Sequence, residues 1–68
     1  GTPMNAHTEE IIEQLEAVRA DGRTNMLDMG GIQVVADDLG LHALVVWIED
    51  ATASEVMAAL REMGRRSA

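Results

Sequence analysis

Between Arg23 and Arg61 the chain carries no Arg or Lys, and within that span Met29 to Ile48 holds most of its large aliphatic side chains and Trp47, its only aromatic. So much apolar surface has to leave water, so the stretch Arg23–Asp50 must form the centre of whatever folds here. It contains no recognisable chemistry. What it constrains is architecture.

Two architectures compete for it. Met29, Ile32, Val35, Ala36 and Leu39 recur at helical spacing, as do Leu41, Leu44, Val45 and Ile48, with Gly40 placed to end the first run. Val34-Val35 and Val45-Val46-Trp47-Ile48 are β-prone, and a hairpin of Ile32–Ala36 with Leu41–Ile48 around Asp37–Gly40 is the alternative. The helical reading is preferred, because one 3.6-residue phase fits both halves and Ala-x-x-Leu-Gly resembles a helix end more than a tight hairpin turn. The Gly30-Gly31 pair weakens the start of the first run, at about 1 kcal/mol per glycine relative to alanine.

The flanks are plainer. Ile11, Ile12, Leu15 and Val18 share one helical face. Thr8 is placed to cap that helix, Glu9, Glu10 and Arg19 complement its dipole, and Asp21-Gly22 stops it. Thr24, Asn25 and Asp28 are suited to free backbone N–H groups in the connection that follows. Thr52-Ala53-Ser54-Glu55 is a capping box, after which Val56, Ala59, Leu60 and Met63 form an apolar face that Gly64 is expected to end, with Arg61, Arg65 and Arg66 at the C-terminal dipole. The expected fold is all-α: a compact, self-associating bundle of four short helices at about 8–20, 29–39, 41–50 and 53–63. It forms one domain over residues 4–66, behind a Gly1–Pro3 cloning remnant.

Size sharpens this. A chain of 68 residues without cysteine has neither disulfide nor thiolate metal site to staple it, leaving helix packing and oligomerisation. Twelve carboxylates stand against five arginines and no lysine, a formal charge of −7 that repels phosphate and anionic lipid. The same bias fits a halophilic or high-GC source. With no long apolar run and no signal peptide after Met4, a cytoplasmic protein with no membrane partner is expected.

Val18-Arg19, Gly22, Asn25-Met26-Leu27-Asp28, Val34-Val35-Ala36, Gly40, Leu44-Val45 and Ile48 together resemble a family of small phage- and prophage-borne domains of unknown function, also met in archaeal genomes. The resemblance covers about Ile11 to Asp50, and the Asn-Met-x-Asp turn is its most specific element. Leu27, Leu41 and His42 stand where aromatics are common in that family, and the last helix lacks a tyrosine often found there. The resemblance implies a viral or mobile-element accessory protein that binds rather than catalyses.

Candidate sites are few. Ala36, Gly40 and Val46 approach helix-turn-helix spacing, but the reading helix would show His42, Ala43, Glu49 and Asp50 to DNA without one cation, so nucleic acid is disfavoured as a partner. His7 and His42 lack metal-ligand spacing, so no metal and no cofactor are expected. Glu9, Glu13 and Glu16 with Asp37-Asp38 read as a solvated acidic face, with a dock for a basic partner or a mimic of nucleic-acid charge as the sharper alternative. The C-terminal arginines could hold a small anion. Asn25 and Met26 form a candidate contact turn, and Met29, Val46 and Trp47 are the apolar residues left over for a dimer or protein interface, where tryptophan is enriched. Cys, Lys and Tyr are absent and Gly30-Gly31 is no phosphate loop, so no catalytic residue is assigned and the chain reads as non-enzymatic.

Overall fold

The computed structural model describes residues 9–67, in which four helices run α1 (Glu9–Asp21), α2 (Met29–Asp38), α3 (His42–Asp50) and α4 (Ala53–Ser67). There is no strand among the described residues, so the hairpin alternative is not adopted. The proposed Thr8 cap and His7 lie outside the described residues. α1 is the hub: it packs against α2, α3 and α4, while α2 and α3 also pack on each other.

Each helix closes by a specific device. α1 ends at Gly22 with φ +79°, a left-handed position that glycine takes without a Cβ clash. Asn25 Oδ1 then accepts from Leu27 N at 2.8 Å, and Asn25 O accepts from Asp28 N at 2.9 Å, folding the turn between α1 and α2. Asp28 caps α2, its carboxylate accepting from Gly31 N at 3.1 Å. Gly31 is there of necessity: a Cβ at that position would land on Thr24 Oγ1 and stand 3.0 Å from Asp28 Oδ2. α2 finishes in a Schellman motif. Gly40, at φ +74°, donates to Asp37 O at 3.1 Å, and Leu41 donates to Ala36 O at 2.8 Å.

α3 has no cap of its own. Its N-cap position is Leu41, and the Leu44 N–H is satisfied from another helix, by Gln14 Oε1 of α1 at 2.8 Å. α4 begins with the anticipated box, Thr52 N donating to Glu55 Oε1 at 2.7 Å and Glu55 N to Thr52 Oγ1 at 3.2 Å. Its end differs from expectation. The helix runs through Gly64 to Ser67, because Gly64 keeps a negative φ and the last turns are tied by Arg65–Glu62 and by Arg66–Glu62 at 3.5 Å.

The buried residues form one cluster: Ile11, Ile12, Leu15 and Val18 from α1, Ile32, Val35 and Ala36 from α2, Leu44 and Ile48 from α3, and Val56, Ala59 and Met63 from α4. All belong to the apolar faces read from the sequence. Leu39 is the departure: the helical phase places it inward, but it is the C-cap of α2 and stays 40% exposed.

Candidate functional site

α3 leaves part of its apolar surface open. Its first seven residues, His42–Ile48, are apolar apart from the histidine, yet only Leu44 and Ile48 are buried. A helix apolar all round is ordinarily enclosed on every side. Here Ala43, Val45 and Trp47 are half-buried against the core, and Val46, opposite the Leu44–Ile48 face, is 64% exposed. α2 repeats the situation. Ile32, Val35 and Ala36 face inward, and Val34 on the far side is 70% exposed. Leu27, beside the Asn25 turn, is exposed as well.

The three expected interface residues therefore divide. Val46 is open to a partner, whereas Met29 and Trp47 pack partly against the core and offer only the remainder of their surface. Asn25 is exposed, but its side chain is engaged in the turn, and Met26 is half-buried on the core, so both have structural work within the chain. Val34 and Leu27 were not among the residues expected at an interface. The phase of α2 carried the signal for Val34, since residue 34 falls opposite residues 32, 35 and 36 on a 3.6-residue helix.

The helix-turn-helix spacing does not deliver its packing. In that unit the third marker residue sits between the two helices; here that residue is Val46, which faces outward. Two of the three C-terminal arginines considered for an anion are engaged within the chain. Arg66 reaches Glu9 of α1 at 2.7 Å, and Arg65 pairs with Glu62. Arg65's hydrogen bond and charge hold the Glu62 carboxyl below its ordinary range. Arg23 bridges Asp21 at 2.5 Å and Asp38 at 2.8 Å, and its hydrogen bond depresses the Asp21 carboxyl in the same way.

An open depression of 590 Å³ lies at the start of α2, lined by Arg23, Thr24, Asp28, Gly30, Gly31 and Val34 with Val35. Its charged groups are already spent, Arg23 on Asp21 and Asp38, and Asp28 on the Gly31 N–H. Among the described residues no group of three or more His, Asp or Glu is placed to hold a metal ion, and no helix is long and apolar enough to cross a membrane.

A family model described as "Domain of unknown function (DUF5049)" matches residues 7–57. The chain belongs to that family. The match spans α1, α2, α3 and the first turn of α4, so the outer faces of α2 and α3 lie inside the DUF5049 region and Arg61, Arg65 and Arg66 lie beyond it. No curated protein and no solved structure matches the chain.

Proposed function

We propose that this DUF5049 protein is a non-enzymatic interaction module whose working surface is the outer side of α3, centred on Val46 with the accessible part of Trp47, and with Met29 of α2 as a further contact. The observation that carries the reading is the exposure of Val46, 64%, on a helix otherwise apolar enough for a core. A contact with protein, either a second copy or another chain, would remove that surface from water. The absence of Cys, Lys and Tyr supports a role in binding rather than catalysis. An accessory protein of a virus or mobile element, as the sequence resemblance implies, working in the cytoplasm is the setting that goes with this reading.

Light scattering over a concentration series, with pull-downs from source cells, compares the wild-type chain with Val46→Asp. A dimer or a bound protein that Val46→Asp loses, with helicity unchanged by circular dichroism, supports the module and its surface. Identical behaviour of the two chains overturns it.

A further inference from the structure

One surface unit occurs on both central helices: Val34-Val35-Ala36-Asp37-Asp38 on α2 and Val46-Trp47-Ile48-Glu49-Asp50 on α3. In each, an exposed valine is followed at i+3 and i+4 by two exposed carboxylates, which helical geometry puts on the valine's own side. These carboxylates occupy the last turn of their helices, where the macrodipole disfavours negative charge, and neither helix has a basic residue in that turn. α1 and α4 follow the opposite rule, with Arg19 and with Arg65 and Arg66 in their last turns. Arg23 answers Asp38 at 2.8 Å, whereas Asp37, Glu49 and Asp50 make no ion pair among the described residues.

Resting on the interaction-module reading above, we propose that the occupant of the Val46 face is a segment of another protein in which an apolar stripe is flanked by Lys or Arg. The stripe covers Val46 and the solvent-accessible part of the half-buried Trp47. The cations meet Glu49 and Asp50 at the negative end of α3, supplying the charge the helix lacks. A second copy fits this face less well, since a two-fold contact pairs the patch with itself and α3 carries no Arg or Lys to meet Glu49 and Asp50. Nucleic acid and anionic lipid are repelled by the same carboxylates.

Trp47 is the chain's only indole and lies half-buried on α3, so its emission reports binding by peptides that contain no tryptophan. Three designed helical peptides make the test: a leucine stripe with lysine flanks, the same stripe with glutamate flanks, and lysine flanks with serine in place of leucine. The lysine–leucine peptide is expected to bind roughly tenfold tighter than either control, and to weaken as salt rises. Val46→Ser should weaken it by roughly tenfold, since burying the valine is what the contact gains. Met57→Ser, at a 40% exposed position on α4, should leave it unchanged. Both substitutions are at exposed positions, and circular dichroism is the control for the folding of each variant.

Equal binding of the two lysine peptides would mean attraction by net charge alone and overturns the proposal, as would equal binding of the two leucine peptides. If no peptide binds and the chain is a dimer that Val46→Ser dissociates, the occupant is a second copy: the proposal falls and the interaction reading stands. If no peptide binds and wild type and Val46→Ser behave alike, in solution and in pull-downs, both fall.

Discussion

The α1–α4 pair and the α2–α3 pair solve the same folding problem by different means. α1 and α4 each open with glutamate and close with arginine, carry one apolar face, and are joined at their ends by Arg66–Glu9. α2 and α3 have neither an acid in the first turn nor a base in the last. They depend on left-handed Gly40 between them and, for α3, on a cap borrowed from Gln14. Dipole-complementing charges at the helix ends are thus present in one pair and missing in the other, where α2 keeps only its Asp28 cap, and this second pair carries the exposed Val34 and Val46. Such departures from local consistency concentrate where a surface serves something besides the fold.

Five measurements would break or sharpen that contrast. Leu44→Ala should cost about 2–5 kcal/mol in urea unfolding, because a fully buried side chain is removed from the core. Val46→Ala, two residues along the same helix, should stay within about 0.5 kcal/mol. Comparable losses at the two sites would erase the distinction between the inner and outer sides of α3. Gln14→Leu should cost about 1–3 kcal/mol by orphaning the Leu44 N–H. An unchanged midpoint would show that α3 does not depend on α1 for its cap.

Gly31→Ala should cost about 1–3 kcal/mol through collision with Thr24 and Asp28, while Gly30→Ala, whose Cβ meets only Asp28 Oδ1 at 3.6 Å, should not destabilise. Adding Thr24→Ala should recover part of the Gly31→Ala loss. In α4, Gly64→Ala enters open space inside a helix and should stabilise by about 0.5–1 kcal/mol, read as a raised melting temperature. The smallest effect is acid sensitivity. Asp21 and Glu62 are lowered by their arginines, so their contributions are whole above the ordinary values of 3.8 and 4.5 and are lost as pH falls through the lowered ones. Glu62→Gln should flatten the Glu62 part of that acid loss. An unchanged profile would remove Glu62 from the linkage.

Much of the fold was legible because it rests on local signals. The Thr52–Glu55 box, Gly22, Gly40 and the face Ile11–Ile12–Leu15–Val18 each act within a turn or two of chain, and each is realised. Gly64 misled because glycine stops a helix only when it takes the left-handed conformation, and here the helix continues. Of the residues proposed for an interface, Val46 is exposed while Trp47 and Met29 are partly claimed by the core, and the exposure of Val34 emerges only from the observed burial of α2.

The sequence by itself determined four helices, their inward faces and the acid-rich, lysine-free character of the surface, because periodicity, capping residues and charge are properties of short stretches. Only the tertiary structure decided that Gln14 caps α3, that Arg66 and Arg23 close on Glu9 and Asp38, and that Val34 and Val46 stay outside. These depend on which helices meet, and α1, by packing on all three others, covers one side of α2 and α3 and leaves their outer valines exposed.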